Sequence, residues 1–357
     1  MNINTLGFNN WFAQQMEQAD PGMEAVRVIA VHRESYVVSD GTGDIYAETT
    51  GKLQYDSGSP LDLPAVGDWV LAQLMNDRTL AIIHSVLERK TLLTRKNPGR
   101  KVEFQLIGAN IDTVMIMQAL DSDFNPRRLE RYLVMAREGG IEPVVLLSKR
   151  DLLPAEEVAA KTREAEKIAP GSPVLAFSNQ DQEGLDQVKA LFLPGITYCL
   201  LGSSGVGKTT LLNRFLNAER FETRSVRVND GKGRHTTTSR QLIMLDNGAM
   251  VIDTPGMREL GAIAVDSGLE ETFDEIVSLS RECRFKDCSH EHEDSCAVLA
   301  ALAEGEISRE RYDSYLKLKK ESDFHERSYL ERRRNDKAFG KMVKSVKKDM
   351  KKSGDGR

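Results

Sequence analysis

The stretch Gly202-Ser-Ser-Gly-Val-Gly-Lys208-Thr209 has the residue types and spacing of a loop that cradles a polyphosphate. Glycines let successive backbone N–H groups turn inward on the phosphates, and a helix N-terminus after the loop adds positive potential. Gly202, Ser203, Ser204, Gly205, Val206, Gly207, Lys208, Thr209 and Thr210 are therefore assigned to a nucleotide. Lys208 would reach the β- and γ-phosphates and Thr209 would ligate Mg²⁺. Downstream, Asp253 ends an apolar run and is followed by Gly256. The aspartate suits a residue that holds the Mg²⁺ shell through water, and Gly256 could donate its N–H to the γ-phosphate. Upstream lies Ser148-Lys149-Arg150-Asp151. Asp151 could accept two hydrogen bonds from guanine N1 and N2, at ~1.5–3 kcal/mol each, enough to favour guanine over adenine by ~3–6 kcal/mol. The stem of Lys149 would pack along the base, and Ser178 with Asn179 could close its far edge. In a guanine-nucleotide domain of ordinary connectivity the base element follows the phosphate loop; here it precedes it. That order implies a circularly permuted G domain.

Between the phosphate loop and Asp253 lies Gly233-Arg234-His235-Thr236-Thr237-Thr238. A glycine-flanked hydroxyl run there is the expected position of a mobile switch whose threonine completes the Mg²⁺ shell. A polar hairpin turn would explain the glycine and threonines but not the basic pair. A second chemistry is written in Cys283-x4-Cys288-x-His290-x5-Cys296. Three thiolates and one imidazole, with no open position, suit a structural tetrahedral Zn²⁺. His292 is a rival ligand, and unligated cysteines are the plainer alternative. Cys199, in an apolar run, reads as a buried strand residue.

These groups need elements to hold them. Residues 1–24 carry Leu6, Phe8, Trp11, Phe12 and Met16 at the spacing of a short amphipathic helix. From Ala25 short alternating segments follow: Val26, Val28 and Ala30, then Tyr36 and Val38, then Ile45 and Ala47, then Val66–Val70 and Ala81–Ile83. Four or five such strands predict a small β-barrel, and an OB-type barrel fits. The basic segment 91–108 (Arg95, Lys96, Arg100, Lys101) reads as a linker. Beyond it the pattern alternates strand and helix: strands at 113–117, 143–147, 174–177, 197–201 and 249–253, helices at 126–139, 156–168 and from 210. This predicts a mostly parallel sheet with ligands at the carboxyl ends of its strands. After Gly261 the chain is helical again around the Cys/His cluster.

The expected fold class is thus multidomain: an OB-type β-barrel, an α/β circularly permuted P-loop GTPase domain, and a small α-helical zinc-binding domain. The expected boundaries are 1–95 for the N-terminal helix and barrel, 96–265 for the GTPase domain, 266–330 for the zinc domain and 331–357 for a basic tail. The 357-residue chain, 40% hydrophobic and 29% charged, has a globular composition. No apolar run approaches the ~20 residues of a membrane span, and the N-terminus lacks a secretory pattern, so cytoplasm and no membrane partner are expected. The net charge of −5 hides an asymmetry: Arg332 to Arg357 carry eleven Lys and Arg against three Asp. A basic tail on an acidic body points to a polyanion, or to a solvated tail that binds nothing.

Taken together with Asn125-Pro-Arg-Arg-Leu-Glu-Arg-Tyr-Leu133, Gly233-Arg-His-Thr-Thr-Thr238 and Cys283-Arg-Phe-Lys-Asp-Cys-Ser-His290, the chain resembles the ribosome small-subunit-dependent GTPase A family (RsgA, also called YjeQ or YloQ) over nearly its whole length. The resemblance implies a GTP hydrolase stimulated by the small ribosomal subunit, acting late in its maturation with GTP-controlled release. It implies contact with rRNA, one structural Zn²⁺ per chain and Mg²⁺ with GTP, in a protein expected to be a monomer. An RNA-binding assembly scaffold with a structural nucleotide is the alternative, and an ATPase is a third. By motif match Thr237 is the switch Mg²⁺ ligand, with Thr236 and Thr238 beside it, and the zinc ligands fall on Cys283, Cys288, His290 and Cys296, leaving His292 out. Met257 stands where many GTPases place a glutamine that orients water, which leaves His235 or a group from the ribosome to do so. Ser148 replaces the family's usual Asn or Thr, and the expected result is a lost tie between base site and phosphate loop, with lower nucleotide affinity.

Overall fold

The computed structural model describes residues 2–32, 35–96, 104–121, 123–216, 240–253 and 266–323. Five strands come first: β1 (Glu24–Val31), β2 (Tyr36–Ser39), β3 (Asp44–Thr49), β4 (Trp69–Met75) and β5 (Leu80–Val86). They close in the order β1-β2-β3-β5-β4, with β4 returning to β1. Every pairing is antiparallel except β3 with β5. The alternation predicts only a small barrel; this closed five-strand order is OB-like. Alternate residues fill its interior, among them Val26, Val28, Val38, Ile45, Ala47, Val70 and Ile83. Register shifts between Val28 and Ala30 and between Leu71 and Ala72 bend the strands toward closure. The N-terminal helix α1 (Asn10–Met16) is capped by the Asn9 side chain. It lies against the barrel through Phe8 and Phe12, whose rings sit 4.9 and 5.8 Å from that of Trp69.

The described parts of the expected linker at 91–108 are instead strands. Strands β6 (Leu92–Lys96) and β7 (Phe104–Ala109) pair antiparallel. The basic residues drew attention to charge, while Leu93, Leu106 and Ile107, all buried, carry the packing.

Next comes an α/β unit: β8 (Thr113–Ala119), α3 (Pro126–Glu138), β9 (Glu142–Ser148), α4 (Ala155–Ile168), β10 (Val174–Ala176), α5 (Leu185–Ala190), β11 (Thr197–Gly202), α6 (Lys208–Phe215), β12 (Gln241–Met244) and β13 (Met250–Asp253); a short helix α2 (Gly51–Asp56) belongs to the barrel. The strand order is β10-β9-β8-β11-β13-β12, parallel apart from β12. Both faces are covered, which is why these strands read as continuous apolar runs such as Val114–Met117. Ala119 is in register with Ser148, and Gly202 with Met117, so the carboxyl ends of β8, β9 and β11 lie along one edge.

The barrel and this sheet meet where Ala30 pairs with Gln241. Arg27, 1% exposed, is the polar centre of that junction. Its Nη2 donates to Thr197 Oγ1 (2.9 Å) and to the Asn110 carbonyl (3.2 Å), and its Nε to the Gly67 carbonyl (3.3 Å). Burial lowers its pKa to about 10, against the pull of Asp112 and Asp68, so it remains cationic at neutral pH.

A third, helical unit contains α7 (Asp266–Thr272), α8 (Asp274–Ser280), α9 (Ala297–Glu304) and a helix at 309–323. It packs on α3. A Cβ on Gly268 would come within 2.4 Å of the Val134 carbonyl oxygen, so only glycine permits α7 to lie so near. Arg311 bridges the units: it contacts Glu130 of α3 at 2.8 Å and Glu275 of α8 at 2.7 Å, with its guanidinium 4.2 Å from the Phe273 ring centroid. Glu130, buried, also accepts from the Ser314 hydroxyl.

Candidate nucleotide site and metal centre

β11 delivers Gly202 to the edge of the sheet and α6 begins at Lys208. The turn between them depends on glycine. Gly202 has φ +153°, and a Cβ there would lie 2.4 Å from the Met117 carbonyl oxygen of the neighbouring strand. The Lys208 ammonium folds back over the loop, donating to the carbonyls of Gly202 (2.7 Å) and Ser203 (2.8 Å). The next strand on that side, β13, ends at Asp253. Gly256, Met257 and the run Gly233–Thr238, with His235 and Thr237, lie outside the described residues.

The base element sits beside the loop because β9 is next to β8 and β8 next to β11. β9 ends at Ser148; Lys149 then adopts a left-handed conformation (φ +60°), and a single 3-10 turn at Arg150–Leu152 leaves Asp151 exposed. Ser148, fully buried, donates its hydroxyl to the Val206 carbonyl at 2.7 Å. The expected loss of the tie between base element and phosphate loop is therefore corrected: one hydroxyl proton is enough to reach the loop. The Ser178 hydroxyl, also buried, accepts from the backbone N–H of Gln180 (2.9 Å) and Asp181 (3.3 Å), shaping the turn after β10.

Two acidic residues at this edge escaped the sequence reading. Asp121 and Asp123 lie in the loop that leaves β8. Asp121 pairs with Lys149 at 2.8 Å; burial raises its pKa, but the Lys149 ammonium and a backbone N–H more than offset this and hold it below the usual range. Asp123 accepts from the Ser203 hydroxyl and pairs with Arg128 at 2.9 Å. The available signal was positional: a loop leaving the carboxyl end of a parallel strand faces the ligand edge.

The metal-type cluster is compact. One ligand atom from each of Cys283, Cys288, His290 and Cys296 lies within 4.8 Å of all the others. Cys283 Sγ is 3.8 Å from Cys296 Sγ, and His290 Nδ1 is 3.6 and 3.5 Å from those two sulfurs. With metal–sulfur bonds of ~2.3 Å and a metal–nitrogen bond of ~2.0–2.1 Å, a tetrahedron has edges of ~3.8 and ~3.6 Å. The spacing therefore fits a four-coordinate ion of zinc's size. Cys296 is the N-cap of α9, its sulfur accepting from Leu299 N–H at 3.5 Å. Burial, with the neighbouring Cys296 and Cys283, pushes the Cys288 thiol up to about 12, so a cation is what would hold that sulfur ionised. His290 takes φ +62°, and its carbonyl accepts from the Tyr312 hydroxyl at 2.7 Å. His292 is exposed and outside the cluster.

An OB-type barrel, a P-loop domain whose base element precedes its phosphate loop, and a helical unit around three cysteines and a histidine define a circularly permuted GTPase. Among solved structures, YjeQ from Thermotoga maritima aligns with a TM-score of 0.61 at 27% identity, covering 84% of this chain and 98% of its own. YloQ, described as a circularly permuted GTPase, shares the fold with a TM-score of 0.60 at 24% identity over 86% of this chain and 97% of its own. The RsgA GTPase family model matches residues 86–263. The small ribosomal subunit biogenesis GTPase RsgA 2 of Lactiplantibacillus plantarum is 42% identical over 91% of both chains. That of Vibrio parahaemolyticus is 36% identical over 98% of this chain and 94% of its own. The chain belongs to the RsgA GTPase family. No helix among the described residues is long and apolar enough to cross a membrane.

Proposed function

We propose that this chain hydrolyses GTP in late maturation of the small ribosomal subunit, which stimulates its turnover and is released under GTP control. The observation that carries this reading is the convergence of Lys208, Ser148, Lys149 and Asp151 on one edge of a permuted sheet, in a chain of this family. Asp151 reads guanine, Lys149 is held along the base by Asp121, and the loop from Gly202 to Thr210 holds the phosphates. Mg²⁺ bound with the nucleotide would supply charge neutralisation at the phosphates. Thr209 and Thr237 would ligate it, with Asp253 acting through water. Gly256 donates its N–H to the γ-phosphate, and His235 orients the attacking water in place of Met257. The four ligands Cys283, Cys288, His290 and Cys296 hold one structural Zn²⁺. The protein acts as a cytoplasmic monomer whose barrel and basic tail from Arg332 contact rRNA.

GTP turnover measured with and without purified small subunits tests the proposal. Stimulation of at least about tenfold, or a barrier lowered by ~1.4 kcal/mol, is expected. Turnover that subunits leave unchanged, with nucleotide still bound, would favour a scaffold with a structural nucleotide. Base recognition has its own test. Asp151→Asn replaces an acceptor by a donor and should move preference from guanine toward xanthine nucleotides, by ~3–6 kcal/mol in relative affinity. Equal affinity of the unaltered chain for ATP and GTP would remove the role of Asp151.

A further inference from the structure

Asn179, in the turn after β10, does something at the phosphate loop that the base-closing role does not describe. Its Nδ2 donates to the Gly207 carbonyl at 3.4 Å, the long end of a hydrogen bond. The amide fills the space over that residue: a Cβ on Gly207 would stand 2.8 Å from Asn179 Nδ2. The Asn179 backbone carbonyl in turn accepts from the Arg214 guanidinium on α6. Its Oδ1 is buried and has no partner among the described residues. Turning the amide over would set Oδ1 against the Gly207 carbonyl oxygen, two acceptors face to face. The orphaned oxygen is thus what keeping Nδ2 on Gly207 costs.

Ser148 explains why such a contact is needed. Its hydroxyl has a single proton, directed at the Val206 carbonyl, 2.7 Å away. An amide at position 148 would have two protons, one for the loop and one to spare for its surroundings. Here adjacent loop carbonyls are held from two sides, Val206 by β9 and Gly207 by the β10 turn. A trans peptide sets its C=O and N–H in opposite directions. Anchoring those two carbonyls outward therefore aims the N–H groups of Gly207 and Lys208 into the concavity of the loop.

We propose that Asn179 is a positioning residue for nucleotide affinity: it supplies the second amide proton that Ser148 lacks and locks the base-side turn to the phosphate loop. The inference rests on the GTPase reading above. Its contribution is made with substrate and transition state alike, so affinity and KM change while kcat does not.

The test is titration of fluorescently labelled GDP into the full chain, with steady-state GTP turnover beside it. Asn179→Ala is expected to raise the GDP dissociation constant and the KM for GTP about tenfold, the scale of one net hydrogen bond. At saturating GTP, kcat should stay within about twofold. Asn179→Asp keeps the shape without the donor and should weaken binding at least as much. Adding Ser148→Asn to Asn179→Ala should restore affinity to within about threefold, because the new amide can reach the loop from the other side. Unchanged GDP affinity in Asn179→Ala or Asn179→Asp would overturn the proposal, as would a loss that Ser148→Asn fails to recover. Guanine-nucleotide binding absent from the unaltered chain would overturn the GTPase reading too, whereas firm binding that ignores Asn179 overturns this inference alone.

Discussion

Lys208→Ala is expected to lower kcat for GTP by about 10²–10³-fold, the usual effect of removing one pre-aimed charge from a developing transition state. Phosphoryl transfer gives a protein little covalent chemistry to do, so positioned charge dominates the rate. The Lys208 ammonium already lies across the loop, bonded to the Gly202 and Ser203 carbonyls at 2.7 and 2.8 Å. Those bonds hold a flexible side chain over the place the phosphates occupy, so little ordering remains for the substrate to impose. The measurement is single-turnover hydrolysis at saturating GTP, with and without small subunits, so that weaker binding does not pass for slower chemistry. Lys208→Arg separates charge from position, because a planar guanidinium cannot take the place of a compact ammonium between two carbonyls. A Lys208→Ala rate within twofold of the unaltered chain, in either condition, would remove the lysine from the chemistry.

What could be read in advance followed from how local each signal was. The phosphate loop is contiguous, and its glycines, lysine and threonine carry the pattern without help from the fold. The barrel strands were legible because β3 alternates so that Ile45 and Ala47 point inward between exposed neighbours. β6 and β7 were not, because Arg95 and its basic neighbours outweighed two short apolar pairs, Leu92–Leu93 and Leu106–Ile107, whose burial comes from surrounding elements. Asp121 and Asp123 were missed for a related reason. Nothing in a short acidic turn marks it as functional until the sheet order sets β8 beside β11. Ser148 was misjudged because the substitution was weighed as an amide lost, while the distance to Val206 suits a hydroxyl. The four residues of the metal-type cluster were legible as a set, yet His290 and His292 could be told apart by sequence only through resemblance. The structure separates them physically: the left-handed turn at His290 and the bond from Tyr312 bury one imidazole, while the other is exposed.

Removing the proposed Zn²⁺ should unfold the segment from Cys283 to Cys296 while leaving β8–β13 folded. The reason is the composition of that segment. Between α8 and α9 it is a chain of turns, and the side chains it buries are mainly the ligands themselves: Cys288, His290 and Cys296 are all nearly inaccessible. Three sulfurs and an imidazole brought within 4.8 Å have little apolar surface with which to replace a central ion. Structural zinc in small sites contributes apparent free energies of ~10–16 kcal/mol, comparable with the whole stability of a domain. The flanking helices have other anchors, since Arg311 ties Glu130 to Glu275 and packs over Phe273. The expected result is therefore local. Metal analysis of protein purified without chelators should give one zinc per chain. After chelation, amide exchange should rise steeply across 283–296, less in α7 and the helix at 309–323, and hardly at all in β8, β9 and β11. Cys288→Ser should reproduce the effect, because it leaves a buried position with a poor ligand. Intrinsic GTP turnover should persist in the depleted protein, while any stimulation that depends on the helical unit is lost. Protein without stoichiometric zinc, whose exchange at 283–296 is slow and indifferent to chelator, would show that the four residues pack without an ion.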